Sequence, residues 1–287
     1  MPTQIEWADE VWNPVTGCSP VSKGCENFRV TLHEDRLYEP LKWKKPRRIV
    51  CSMGDLFHPD VPAGYITAIY DVMEHASQHT FIVLTKRPGR IISVLYREEG
   101  RWHYGGGDFL PNVWHLVTAE NQEMANKRIP ELLMLREYSA GWRVLGVSVE
   151  PMLGPIALNA ICAVVDGFAQ RVKTLLDGID WVICGGETGP NARSMHPDWV
   201  RSLRDQCVEA GVPFFFKQWG EWLPDDQVKE PLIVKMGHPG APKWAINKLV
   251  CNLSPGLHAF KVGKKAAGRL LDGREWNEYP IREKIEP

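Results

Sequence analysis

The stretch DWVICGGETGPNARSMHPDWVRSLRDQCVEAGVPFFFKQ (180–218) contains one complete strand–helix–strand unit. It begins with the apolar run DWVICGG (180–186) and ends with a second one, VPFFFKQ (212–218). The amphipathic segment between the runs has Pro197 and Asp198 in its first turn and Gly211 at its end, which are start and stop signals of a helix. Two apolar strands joined through a helix predict neighbouring parallel strands of one sheet.

The same unit recurs towards the N-terminus, with strand starts 30 to 38 residues apart. The earlier apolar runs are RRIVCSM (47–53), HTFIVLT (79–85), NVWHLVT (112–118) and WRVLGVS (142–148). Runs that are apolar on both faces are typical of parallel strands covered by helices. With a further strand in VWNPVTG (11–17), the sequence predicts an α/β fold, a partial (β/α) barrel of about six to seven parallel strands.

The alternative to this barrel is a doubly wound sheet. No GxGxxG motif follows the first strand, which argues against a dinucleotide-binding domain. Residues 1–223 are expected to form the barrel core. Residues 224–287 are rich in Pro, Gly and charge and are expected to form an irregular C-terminal extension packed on that core.

Composition limits the classes of partner. Lys plus Arg total 34 against 35 Asp plus Glu, so the net charge of -1 gives no global attraction to nucleic acid. No apolar run reaches the roughly 18 residues of a membrane-spanning helix. The start MPTQIEWADEVWNP has no basic region or apolar core of a secretory signal. We therefore expect a cytoplasmic protein with no membrane partner.

Polar side chains follow each of the six apolar runs. The C-terminal ends of parallel barrel strands lie on one rim, where active sites gather. The mixed charges there suit a zwitterionic ligand, and the glycines of CGGETGP let a ligand approach the backbone. The candidate rim residues are Asp55, His58, Lys86, Arg87, Glu120, Glu150, Gly185, Gly186, Glu187, Arg193, Lys217, Gln218 and Trp219.

Two cysteines, Cys18 and Cys25, flank SPVSKG directly after the first strand. Thiols at the mouth of a barrel are candidate metal ligands. Two thiols do not close a site, since an iron–sulfur cluster with one open iron needs three and a structural zinc needs four ligands. A zinc site that adds a histidine such as His58 is one alternative.

Several long motifs carry a family resemblance. They include WNPVTGCSPVSKGC (12–25), CSMGDLFHPDVP (51–62), LTKRP (84–88), GVSVEPMLGP (146–155) and FFFKQWGEW (214–222). Over nearly its whole length the chain resembles a phage-associated, radical-SAM-like family with the pattern C-x6-C-x2-C. The resemblance implies a [4Fe–4S] cluster at the first strand's end and S-adenosylmethionine bound across the rim.

The resemblance also implies roles for single residues. Asp55 would hold the methionyl amine, Arg87 or Lys86 the carboxylate, Glu120 the ribose, and the CGGETG turn would pack on adenine. Cys18 and Cys25 match the first two cysteines of the pattern, but the third position is Phe28. Either this chain has lost its third ligand or a segment is missing between Asn27 and Arg29. We expect the chain near 25–30 to be the least ordered part of the rim, or to show a break between Asn27 and Arg29.

The substrate is expected to be a nucleotide or nucleic acid. LKWKKPRR (41–48) places Trp43 among basic residues that include Lys44 and Lys45, a composition that suits phosphate contact and base stacking. Trp219 is a second candidate for stacking a base. Two functions remain open from the sequence, a radical-SAM enzyme that modifies or repairs such a substrate and a cluster-free binding protein on the same barrel.

Overall fold

A computed structural model describes residues 5–20, 22, 28–96, 110–137, 144–160, 174–228 and 250–280. Three short strands come first, β1 (Glu10–Val11), β2 (Val15–Cys18) and β3 (Phe28–Leu32). The six predicted apolar runs follow as strands within or next to their expected bounds. They are β4 (Arg48–Cys51), β5 (Thr80–Thr85), β6 (Val113–Thr118), β7 (Leu145–Val149), β8 (Trp181–Gly185) and β9 (Phe214–Gln218).

One seven-stranded sheet organises the molecule. Its order is β1-β4-β5-β6-β7-β8-β9, and every neighbouring pair is parallel. The sheet curls into a half-barrel, which confirms the predicted partial (β/α) barrel. Because all seven strands run the same way, their C-terminal ends form one rim.

Helices follow four of the strands, and the helix between β8 and β9 lies where its amphipathic segment predicted it. The helix α1 (Ala63–His75) follows β4, α2 (Gly89–Leu95) follows β5, α3 (Gln122–Leu133) follows β6 and α4 (Pro197–Ala210) follows β8. At the start of α3 the Asn121 side chain accepts a hydrogen bond from the Met124 amide. Gly211 ends α4 in a left-handed conformation at φ 69°.

The predicted first strand, 11–17, is divided between two sheets. Only β1 joins the half-barrel, whereas β2 turns away and pairs with β3 as an antiparallel hairpin. Pro14 lies between them and has no amide hydrogen to donate to a ladder, so the strand ends there. The connection from β1 to β4 is therefore a hairpin followed by two short 3-10 turns, Glu34–Arg36 and Pro40–Lys42, and contains no crossover helix in its described part.

The C-terminal part has more regular structure than its composition indicated. Strands β10 (Trp222–Pro224), β11 (Val250–Ser254) and β12 (Leu257–Lys261) form a small antiparallel sheet, followed by the short helix α5 (Lys264–Ala267). The backbone of Trp276 then accepts a hydrogen bond from the Phe216 amide, so this segment covers the outer edge of β9. No helix in the described ranges is long and apolar enough to cross a membrane.

Candidate ligand cavity at the barrel rim

Alternation along the strands divides the half-barrel into an apolar floor and a polar rim. The concave face is filled near the middle by Trp114, Trp181 and Phe215, with Trp7 packed edge-on against Trp181 at 5.9 Å between ring centroids. Side chains two positions further along a strand lie on the same face and nearer its C-terminal end. There the concave face becomes polar: Lys217 comes two positions after Phe215, Thr118 comes four positions after Trp114, and Ser148 is the partner of Thr118 on β7.

These rim residues surround a cavity of about 420 Å³. Its polar wall includes Lys86, Thr118, Ser148, Glu150 and Lys217, whereas Ile5, Trp7, Met53 and Leu84 make an apolar wall, and Cys18 and Asp55 lie at the side of the hairpin. Met53 is 65% exposed, so it lies at the mouth of the cavity. Cavities of this size with one apolar wall and a few convergent polar groups are typical of small-molecule sites.

A close backbone contact brings the hairpin to the rim. Gly17 forms an isolated parallel bridge with Gly54, just after β4. A Cβ atom on Gly54 would lie 2.8 Å from the carbonyl oxygen of Val15, so only glycine permits this approach. The contact places Cys18 beside Asp55, although the two lie 37 positions apart in the sequence.

Asp55 is buried and makes a dense set of hydrogen bonds. Oδ1 accepts from the Thr85 hydroxyl at 2.6 Å and from the Phe57 amide at 3.0 Å. Oδ2 accepts from the Lys86 amide at 3.1 Å and from Arg87 Nη1 at 2.7 Å. A carboxylate accepts about four hydrogen bonds, so Asp55 is fully used. All acceptor sites of this carboxylate are thus occupied by donors of its own chain, and none is left for the methionyl amine that the resemblance implied.

Arg87 connects Asp55 to the hairpin. Besides its ion pair with Asp55, it donates to Cys18 Sγ at 3.4 Å and to the Ser19 carbonyl oxygen at 3.2 Å. Burial alone would lower the pKa of Arg87, but the hydrogen bonds that it donates to Cys18 and Asp55 outweigh burial and raise it. Arg87 is therefore a permanent cation that holds the Cys18 turn, and it does not line the cavity.

His58 supports the same turn from below. The Asp60 amide donates to its Nδ1 at 3.1 Å, and its Nε2 is hydrogen-bonded to Ser19, with the hydroxyl at 2.6 Å and the backbone amide at 3.4 Å. Burial, and then the positive charge of Arg87, lower the pKa of His58. With both ring nitrogens engaged, this neutral histidine offers no lone pair to a metal at Cys18.

Glu150 and Lys217 form an ion pair across the cavity wall. Lys217 Nζ donates to Glu150 Oε1 at 2.7 Å, and the two side chains are only 20% and 13% exposed. A Cβ atom on Gly185 would lie 3.3 Å from the Glu150 carboxyl carbon, so this glycine leaves room for the carboxylate.

Glu120 lies behind the wall. It is fully buried and pairs with Arg128 of α3 at 2.9 Å. Burial would raise its pKa, but the Ser22 hydrogen bond and the charges of Arg128 and Lys86 outweigh burial and lower it. Glu120 does not line the cavity.

The CGGETG turn is built around backbone packing. A Cβ atom on Gly186 would lie 2.0 Å from the Trp219 carbonyl oxygen, so only glycine permits the close contact between β8 and the turn after β9.

The other predicted residues of this region make contacts within the protein. Arg193 Nε donates to Glu187 Oε2 at 2.8 Å. Trp219 is buried, and its indole N–H donates to the Leu270 carbonyl oxygen. Gln218 is also buried. The structure places these predicted cofactor and substrate contacts in the protein interior or within the turn itself.

The basic segment 41–48 lies away from the cavity. It precedes β4, so it is at the N-terminal edge of the sheet, opposite the rim. Arg47 lies over the Trp43 ring at 5.3 Å, and Trp43 packs against His79. Lys44 and Lys45 are exposed. A nucleic acid held there would be on the opposite side of the half-barrel from the cavity.

Five thiols lie in the described residues: Cys18 at the rim, the half-buried Cys251 in β11, and a buried group of three. Cys18 lines the cavity, and Cys25 lies outside the described residues. Burial raises the pKa of Cys51 and of Cys207 to about 12, and burial also raises that of Cys184. These three are protonated core side chains. Across the ranges that the structure describes, no three His, Cys, Asp or Glu side chains converge as a metal-binding group.

Sequence reasoning missed part of the cavity lining. Thr118 and Ser148 are the last residues of two predicted strands. Each strand is otherwise apolar on its inner face, so a hydroxyl at its end was the signal that could have identified them. Ser52 and Met53, which directly follow β4, also line the cavity and were not predicted. Ile5 and Trp7 reach the cavity from outside the sheet, and no local pattern indicates this.

Comparison with known proteins gives a family. A family model described as a protein of unknown function, DUF5131, matches residues 2–29 and 26–280, and the chain belongs to this family. The two matched segments overlap at residues 26–29. No curated protein matches the chain, and neither does any solved structure.

Proposed function

We propose that this member of the DUF5131 family binds a nucleoside-sized, zwitterionic small molecule of the S-adenosylmethionine class in the rim cavity. One observation carries the proposal. The Glu150–Lys217 ion pair lines a cavity of about 420 Å³ whose lining also includes the apolar side chains of Ile5, Trp7, Met53 and Leu84. Such a cavity is complementary to a molecule with a charged end and an aromatic end.

The chemistry of the lining fits this class of ligand. Lys86 and Lys217 suit a carboxylate, Glu150 suits an ammonium, and the hydroxyls of Thr118 and Ser148 suit a ribose. The wall made by Ile5, Trp7, Met53 and Leu84 suits a base. The sequence resemblance to radical-SAM-like proteins supports the same ligand independently of the cavity.

Titration calorimetry with S-adenosylmethionine and S-adenosylhomocysteine tests the proposal. Ser52 is exposed and lines the mouth, so Ser52→Trp should block entry without disturbing the core. We expect this variant to weaken binding at least about tenfold, or about 1.4 kcal/mol. Ser93→Trp, on the exposed face of α2, is the control and should bind like the wild type. Equal binding by both variants would place the ligand elsewhere.

The donor set at the hairpin does not fit a [4Fe–4S] cluster with an open iron. Such a cluster needs three thiolates, whereas the pattern in this chain supplies only Cys18 and Cys25. The third position is Phe28, which starts β3 and pairs with Cys18 across the hairpin. We therefore favour the cluster-free binding protein.

A radical-SAM-type iron–sulfur enzyme acting on a nucleotide or nucleic acid is the second candidate. The observation that favours it is that Cys18 lines the same cavity as the charged pair. Anaerobic iron–sulfur reconstitution separates the candidates. We expect less than about one iron per chain for the wild type, and about four for Phe28→Cys, which places a thiol at the position paired with Cys18.

The control for this experiment is Phe28→Cys combined with Cys18→Ala, which should lose the added iron. About four irons in the wild type would contradict the cluster-free function and favour the enzyme. Zinc bound through Cys18 and Cys25 is read out by metal analysis of the same samples, and we expect none because His58 has no free nitrogen.

A further inference from the structure

We infer that the Glu150–Lys217 pair is the receptor for an α-amino-acid headgroup, with the ligand carboxylate on Lys217 and its ammonium on Glu150. This inference rests on the proposed function and extends it, because it names the part of the ligand that the polar wall recognises. It also moves the headgroup away from Asp55, where the family resemblance implied it.

The geometry of the pair leaves hydrogen-bonding capacity on both partners. An ammonium has three donors and a carboxylate about four acceptor sites. The contact between Lys217 Nζ and Glu150 Oε1 at 2.7 Å uses one of each. An α-amino acid carries its own carboxylate and ammonium on the same carbon atom. Docked on the pair, it completes a ring of four alternating charges in which every neighbouring contact is attractive.

Burial strengthens the electrostatic contacts that this pair can make with a ligand. The two side chains are 20% and 13% exposed, so water screens them little. Charge-assisted hydrogen bonds in such surroundings are about twice as strong as neutral ones. A ligand that presents only one charge would gain one contact and face the like charge of the pair, so the pair selects for the complete headgroup.

The other carboxylates at the rim are committed elsewhere. Asp55 also lines the cavity, but it accepts four hydrogen bonds from its own chain. Glu120 is fully buried against Arg128, and Glu187 is held by Arg193. Within the described part of the rim, Glu150 is thus the carboxylate with both access to the cavity and acceptor sites left for an ammonium.

Matched ligands test the inference directly. S-adenosylhomocysteine and 5′-methylthioadenosine share the nucleoside and the thioether, but only the first has the headgroup. We expect the wild type to bind S-adenosylhomocysteine about 10- to 100-fold more tightly, as the loss of charged hydrogen bonds implies. In Lys217→Met and in Glu150→Gln this preference should fall to within about threefold. Lys127→Met and Glu209→Gln, both at exposed helix positions, are the matched controls and should keep it.

The outcomes separate this inference from the proposed function, with L-methionine as the third ligand. Equal binding of the two nucleosides by the wild type would overturn the inference and leave the proposed function standing. A preference that persists in Lys217→Met and Glu150→Gln would also overturn it. Binding of L-methionine alone, lost in Lys217→Met, would support the inference and overturn the proposed nucleoside ligand. Binding of none of the three would overturn both.

Discussion

At the scale of the residue, Asp55 shows how a predicted ligand contact becomes a structural one. A carboxylate after a barrel strand is a good candidate for binding, and the sequence places it correctly beside the cavity. The sequence does not show that Thr85, Phe57, Lys86 and Arg87 all donate to it. These donors come from two separate segments, so only the fold brings them together.

Asp55→Asn should destabilise the protein by about 3 kcal/mol, because it removes one partner of a buried ion pair and leaves Arg87 uncompensated. Urea unfolding followed by tryptophan fluorescence measures this. Asp205→Asn, at an exposed position of α4, should change the free energy of unfolding by at most about 1 kcal/mol. A neutral effect of Asp55→Asn would show that the network contributes little to stability.

Glu120 predicts a pH dependence. Its folded-state pKa lies below the ordinary value of 4.5, so its stabilising contribution is complete above that value and disappears as the pH falls through the folded pKa. Glu120→Gln should therefore be less stable than the wild type by about 3 kcal/mol at pH 6, with a smaller difference towards pH 3. Denaturant unfolding across this range gives the difference, and Glu209→Gln should show none at either pH. A constant difference would argue against the ionised Glu120–Arg128 pair.

At the scale of the element, the strands were predictable and the hairpin was not. The six apolar runs have two buried faces, and this signature lies within each segment. Pro14 interrupts 11–17 within the segment itself, but the position of β2 beside the rim depends on the contact between Gly17 and Gly54, which are far apart in the sequence. The close packing of the CGGETG turn on Trp219 is likewise a long-range contact, so its glycines could be read as ligand-facing.

Gly186→Ala should lower the free energy of unfolding by about 3 kcal/mol, since its Cβ atom would meet the Trp219 carbonyl oxygen at 2.0 Å and the backbone would have to move. Gly154→Ala is the matched control, because nothing lies within 4 Å of its Cβ position. Thermal unfolding of the two variants provides the comparison. If both melt like the wild type, the turn does not need this glycine.

At the scale of the whole molecule, the half-barrel is closed in its middle and open at its rim. Trp7, Trp114 and Trp181 fill the middle of the concave face, and in the described part of the chain the cavity lies at the strand ends, where the lining is polar. The direction of the strands made the rim predictable from the sequence. The sequence did not predict which rim groups are paired and which line the cavity, because pairing depends on distances between strands.

The most direct test of this account is a crystal structure of the protein with S-adenosylhomocysteine. We predict electron density for the ligand in the rim cavity, with its headgroup at Glu150 and Lys217 and its base against Ile5 and Trp7. Ligand bound at another surface, with the rim cavity empty, would contradict the account.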